Sequence, residues 1–361
     1  MFRYLIRRIL WAIFLFFIIT FVTFVIFFMA PNDPARAMCG GDQASRACLV
    51  TATEKLGLDK PVLVQYLKYL DRLVVHQNLG TSYATGQSIN EKIKMAAPVT
   101  ASLVFGGAVL WMIIGLSVGI YSALRPRSLI DRAAMVFVLI GVSAHPVWIG
   151  LIFSYFFGVR WHITPIADYA NFFGAEPGSG DPGGPAQWAY HMILPWMTFA
   201  LLFAALYVRM IRANVMETLN EDYVRTARAK GAPEQRILFA ALYVRMIRAN
   251  VMETLNEDYV RTARAKGAPE RRVLFSHVLR NAMLPVVTML GMDVGVALGG
   301  AVFTETVYQL HGLGWTLVNA VNADDFATVQ GVVVFATIAI LTLNLIVDLL
   351  YAWIDPRIRL A

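Results

Sequence analysis

The sequence predicts an all-α membrane protein with six spans, and three observations carry that reading. Apolar residues make up 58 % of the 361-residue chain and charged residues 15 %, whereas soluble domains sit near ~45–50 % and ~25 %. The apolar excess lies in long, nearly uncharged runs rather than in an amphipathic period, and mean hydropathy is +0.58. Six such runs reach the roughly 20 residues that a helix needs to cross a ~30 Å hydrocarbon core.

In order, a basic arm with Arg3, Arg7 and Arg8 precedes residues 9–30, which hold no charge and form span 1. A cleaved signal peptide fits poorly, because its apolar core is only ~7–15 residues long and no small-residue cleavage site follows here. Residues 31–98 are polar and mixed, with a short amphipathic helix expected over 62–75. Span 2 covers 99–124, and a basic turn with Arg125, Arg127, Asp131 and Arg132 leads to span 3, 133–159. A Pro- and Gly-rich stretch at 177–185 reads as a loop. Span 4 covers 187–208, span 5 covers 282–304 with Asp293 inside it, and span 6 covers 326–349. A Gly-containing loop with His311-Gly312-Leu313-Gly314-Trp315 separates the last two spans.

Six spans put both termini on one side, and 22 of the 31 Lys and Arg fall on that side. By the positive-inside rule both termini are cytoplasmic in a multi-pass plasma (inner) membrane protein. The net charge of +7 then reports topology and lipid contact rather than nucleic acid. Cys39 and Cys48 lie in the first outward loop, where a disulfide is permitted. Two free thiols are the alternative, because spacing alone does not set geometry.

A repeat interrupts this plan. Residues 202–234 read LFAALYVRMIRANVMETLNEDYVRTARAKGAPE, and residues 238–270 read the same, 36 positions later. Solenoid repeats diverge and number three or more, so two identical copies indicate a recent tandem duplication or an artefact of the sequence. Residues 202–208 end span 4 and are expected in lipid, whereas the same seven at 238–244 cannot cross a bilayer. The chain therefore divides into 1–98 (arm, first span, outer loop) and 99–361 (a core of five spans that contains 202–270). Each copy offers a short basic helix, 221–231 or 257–267, with Thr218 or Asn220 as N-cap, acidic residues first, basic residues last and a terminal Gly. Such a helix either seats in a partner's groove or lies on phospholipid.

Asp293 sits near the middle of span 5, where a carboxylate costs roughly 2.5–3.5 kcal/mol on insertion scales, so it faces protein or water. It is either a pathway group or a hydrogen-bond partner of another helix. Asp348, near the end of span 6, reads as interfacial. His145 and His191 read as packed or hydrogen-bonded rather than as ligands. No His-Glu-x-x-His, Cys-x-x-Cys or Gly-x-Ser-x-Gly occurs, so no metal or nucleophile site can be assembled and the chain reads as non-enzymatic. Nor does a Gly-x-x-x-x-Gly-Lys-Ser/Thr loop occur, so energy must enter through another subunit.

A set of short motifs runs along the chain: Arg3-Tyr4-Leu5-Ile6-Arg7-Arg8, Pro31-Asn32-Asp33-Pro34, Leu56-Gly57-Leu58-Asp59-Lys60-Pro61 with Gln65-Tyr66, Leu79-Gly80-Thr81-Ser82 and Ile193-Leu194-Pro195. To these add residues 258–267 with Arg280, Asn281 and Pro285, then Glu305-Thr306-Val307, Gln330-Gly331, Asn344, Asp348, Tyr351 and Asp355-Pro356-Arg357. On these motifs, across nearly its whole length, the sequence resembles the permease subunits of ATP-binding-cassette importers for oligopeptides and dipeptides. His311, where the family usually has Pro, and His145-Pro146, displaced from a Ser-x-Pro, depart from the pattern, as does the duplication.

The resemblance implies a type I importer permease fold with a cytoplasmic coupling helix that docks on an ATPase. Its residues would be Glu257, Asp258, Tyr259, Arg261, Ala263, Ala265 and Gly267, or in the other copy Glu221, Asp222, Tyr223, Arg225, Ala227, Ala229 and Gly231. It also implies as partners a second homologous permease, two ATP-binding subunits that use ATP and Mg, an extracytoplasmic binding protein and membrane lipid. The chain itself is expected to bind no cofactor, and Asp293 is then a candidate to meet a peptide's amine. The alternatives are a nickel-chelate or glutathione permease, a secondary transporter, or a membrane scaffold independent of ATPases.

Overall fold

The computed structural model describes residues 2–29, 35–36, 39, 45–56, 59–174, 183–219 and 284–354. Both predicted coupling segments, 221–231 and 257–267, lie outside the described residues. The described residues are mainly helical, with one isolated antiparallel bridge between Thr81 and Ser88. Helices dominate because a lipid core leaves every backbone N–H and C=O to be satisfied within the segment.

In chain order the helices are α1 (Phe2–Met29), α2 (Arg46–Leu56), α3 (Val62–Leu70), α4 (Ile89–Leu124), α5 (Leu129–Ser143), α6 (Pro146–Phe153), α7 (Pro185–Leu219), α8 (Leu284–Val307), α9 (Leu313–Asn322) and α10 (Phe326–Ile354). Two continue as π-helical turns, α3 through Asp71–Val75 and α6 through Ser154–Arg160. Among the described residues, stretches in α1, α4, α7 and α10 are long and apolar enough to cross a membrane, and α5 with α6 makes a fifth if the bent pair is one span. Helix α8 is 24 residues long and lies where the fifth run of the sequence falls.

The centre of the molecule is the pair α4 and α7, which share the most extensive contact. Their matching residues recur every four positions. Gly107 lies against Phe199, Trp111 stacks on Phe203 at 4.5 Å, Gly115 meets Tyr207 and Gly119 meets Ile211. Four-residue ridges on both helices thus interlock, with the two helices running in the same direction. A Cβ on Gly115 would overlap the Cβ of Tyr207, so a larger residue there pushes the helices apart.

Residues 202–208 lie within a stretch of α7 long and apolar enough to cross a membrane, as expected, and there they pack mainly on protein. Phe203, Ala204, Ala205, Tyr207 and Val208 are buried against neighbouring helices, with Leu206 exposed. The helix also runs on to Leu219, so Thr218 is inside α7 and is no N-cap. Span 3 differs from expectation as well. It breaks between α5 and α6, which meet at 114°. Pro146 is the reason: it lacks an N–H, and its ring drives the preceding residue out of the α region. Ala144 and His145 accordingly sit at ψ 134° and 137°. The His145 ring nitrogen then accepts from Val147 N at 3.3 Å and caps the new helix.

Candidate translocation site

The predicted pathway residue is placed by α7 and α8. The Tyr207 hydroxyl donates to the carboxylate of Asp293, which is half-buried. The partner is therefore a helix of this same chain. Trp111 lies beside the pair, its ring centroid 6.4 Å from that of Tyr207. Past Asp293, Val296 is exposed, and Gly295 and Gly299 have open space where a side chain would stand. Among the described residues the site is thus a carboxylate held by the Tyr207 phenol, with a stretch of α8 next to it that no described residue covers. It can accept a hydrogen bond or pair with an ammonium group.

Polar locks hold the helices at each end of this core. At the end with the 125–128 turn, Arg212 of α7 binds Asp131 of α5 with two hydrogen bonds, Nε to Oδ1 at 2.7 Å and Nη2 to Oδ2 at 3.0 Å. Ser122 and the Arg127 N–H donate to the same carboxylate, which is almost fully buried. The bidentate fork fixes the turn between α4 and α5 against α7.

At the opposite end Glu305 closes α8 onto α9. Its side chain is 0 % exposed. Oε1 accepts from Thr100 Oγ1 at 2.6 Å, and Oε2 accepts from the N–H groups of Gly314 and Trp315 at 2.7 and 3.0 Å. Thr100 Oγ1 in turn accepts from Leu313 N at 2.8 Å. The first three amides of α9 are thereby satisfied by side chains, and the carboxylate faces the positive end of the helix. Gly312 and Gly314 permit the approach, because a Cβ on Gly312 would run into the Glu305 carboxylate and one on Gly314 into the Val302 backbone.

Asp325 does the same for α10. It accepts from Thr328 N at 3.4 Å and Thr328 Oγ1 at 2.6 Å, and it ties in the loop through Ser82 Oγ at 2.5 Å and Tyr83 N at 3.0 Å. Lys92 Nζ stands 4.0 Å from the same carboxylate. Burial pushes the Tyr83 phenol up, with the nearby charge of Arg72 opposing it.

Cys39 and Cys48 are joined in a disulfide with Cα atoms 5.9 Å apart, tying α2 to the segment that follows span 1. His191 meets the Asp168 carbonyl at 3.3 Å. Among the described residues no three His, Cys, Asp or Glu side chains gather as a metal site. Asp348 belongs to α10. The roles of Tyr207, Arg212 and Glu305 were not legible in the sequence. The signal for Arg212 was an arginine following an apolar run. For Glu305 it was a carboxylate seven residues before a Gly-x-Gly.

The sequence comparisons agree with this architecture. The family of binding-protein-dependent transport system inner membrane components matches residues 115–241 and again 237–360, and its N-terminal membrane-component family matches residues 1–104. The chain belongs to this family. The double match splits the chain close to Leu238, where the second repeat copy begins. The chain is similar to the probable D,D-dipeptide transport system permease protein DdpB of Escherichia coli K12, at 34 % identity over 93 % of this chain and 92 % of the relative. It is also 33 % identical to the dipeptide transport system permease protein DppB of the same strain, over 99 % of each chain. The di/tripeptide transport system permease protein DppB of Pseudomonas aeruginosa matches equally, at 33 % over 99 % of each. This family member is a multi-pass inner-membrane protein and a transport component.

Proposed function

We propose that this chain is the permease subunit of an ATP-driven peptide importer and forms half of its translocation pore. The full-length likeness to permeases named for dipeptides and di/tripeptides carries the reading. It stands above the nickel-chelate and glutathione alternatives because those relatives are named for dipeptides and di/tripeptides as a class, not for a metal chelate or one particular thiol peptide. A second homologous permease completes the pore, an extracytoplasmic binding protein delivers the peptide, and two cytoplasmic subunits use ATP and Mg. This chain binds no nucleotide of its own. Both termini and the 125–128 turn face the cytoplasm, which the distribution of Lys and Arg supports.

Glu257 to Gly267, or its copy Glu221 to Gly231, docks on the ATPase. Asp293 lines the pathway and meets the peptide's amine. Its half-buried position beside a stretch of α8 that no other described residue covers supports this role.

A native mass spectrum of the complex extracted from its own membranes tests the assembly. It is expected to give this chain with one second permease and two ATPase masses. The chain alone, or as a homodimer, contradicts the proposal if a version lacking one 36-residue copy behaves the same way. Assembly regained on removing the copy assigns the failure to the duplication instead.

A further inference from the structure

Helix α3 and its π-helical continuation carry three parallel stripes. Tyr66, Tyr69 and Leu73 form one stripe, buried with Phe24 of α1 and Val334 of α10. Leu63, Leu67 and Val74 form the second, with exposures of 67 %, 57 % and 54 %. Gln65, Lys68 and Arg72 form the third. The first stripe accounts for packing; in the third, Lys68 is exposed and Gln65 and Arg72 are half-buried. Among the described residues, nothing covers the second.

The anchor of α3 sets its depth. Tyr66 Oη donates to the Phe17 carbonyl at 3.1 Å and lies 3.1 Å from Thr20 Oγ1. The apolar span of α1 is Ile6–Ile26. Phe17 and Thr20 are therefore about 13 Å and about 9 Å below its far end, at about 1.5 Å per residue. Val334 is about 12 Å into α10 by the same measure. A tyrosine reaching down from the helix places the α3 backbone just under the hydrocarbon boundary at the 31–98 end. The exposed stripe also continues the uncovered flank of α1, since Phe21 is exposed and its ring centroid lies 5.3 Å from that of Tyr66.

We propose that α3 is an interfacial helix whose Leu63, Leu67 and Val74 stripe is covered by the acyl chains of that leaflet, with Gln65, Lys68 and Arg72 at the headgroups. Depth and orientation together favour lipid over a second protein subunit. At about 100° per residue the polar stripe lies on the far side of the helix from the exposed apolar one, so at this depth the apolar side turns to the acyl chains and the polar side to the headgroups. An amphipathic helix lying in the interface meets both demands at once, and it ties the outer loop to the membrane surface beside α1 and α10.

The test uses the complete transport complex in nanodiscs, with the other subunits free of labelable cysteine. This chain has two cysteines, both in the disulfide, so single-site labelling needs no change to them. A nitroxide on Leu67→Cys is expected to collide several-fold more with dissolved oxygen than with a water-soluble nickel chelate. Lys68→Cys is expected to show the reverse order. A Leu67 probe relaxed mainly by the chelate overturns the proposal. So does one shielded from both reagents, which marks a protein cover. Leu63→Cys and Val74→Cys, measured alongside, report the same stripe should the Leu67 label disturb assembly.

Discussion

Removing the Glu305 carboxylate strands three donors at once: the Thr100 hydroxyl and the amides of Gly314 and Trp315. Each buried donor left unpaired costs about 1–3 kcal/mol, reduced where water can enter. Glu305→Ala is therefore expected to destabilise the protein by about 2–4 kcal/mol. Glu305→Gln, which keeps an accepting oxygen, is expected to lose less. Thermal unfolding of the two variants in nanodiscs checks the order. Equal losses would show that the acceptor geometry contributes nothing. At this scale legibility was uneven. Asp293 stood out because a charge within an apolar run is costly anywhere in the membrane. Glu305 did not, because it follows span 5 where a carboxylate costs little in water. Only the fold reveals that Thr100, more than 200 residues away in sequence, covers it. The Asp131–Arg212 pair was hidden for the same reason: each residue taken singly looks like one more charge at a helix end.

The contact of α4 with α7 depends on small residues opposite large ones, repeated every four positions. Gly115→Val forces a side chain onto the Tyr207 Cβ. The expected loss is about 1–3 kcal/mol, the usual cost of overpacking a filled core. It should come with weakened Tyr207–Asp293 bonding, because the same tyrosine supplies both contacts. Gly86→Ala, in a loop with no atom within 4 Å of the added Cβ but with φ +68°, separates backbone strain from packing. An unchanged melting temperature for Gly115→Val would contradict the interlocked ridges. The existence of these helices was legible from hydropathy alone, and the amphipathic helix over 62–75 was legible from its period. The 114° break was not legible that way, although Pro146 signals it. Hydropathy is blind to the backbone dihedral that this proline imposes on His145. The partners of each helix were not legible either, because in lipid an apolar face does not announce which helix it packs against.

Over the whole molecule, the described part of the first repeat copy, residues 202–219, belongs to α7 and packs within the helix bundle. Phe203, Tyr207, Ile211 and Arg212 of the first copy hold α7 against α4 and α5. The second copy leads on in sequence toward α8. A single copy placed between α7 and α8 therefore retains every contact of these helices named above, and the double family match, dividing near residue 238, agrees with that division. The membrane class and the family were legible because long apolar runs and residue motifs are local properties of the sequence. The span count rests on helix lengths, and both predicted coupling segments, 221–231 and 257–267, lie outside the described residues.

Uptake is the direct test of whether this chain works in an ATP-driven peptide importer. The complete complex, reconstituted in proteoliposomes with ATP inside and the binding protein outside, is given a labelled dipeptide. Accumulation is expected that stops when ATP is omitted and falls strongly with Asp293→Asn. Uptake that persists without ATP, or an assembled complex that moves no peptide while hydrolysing ATP, would contradict an ATP-driven peptide importer.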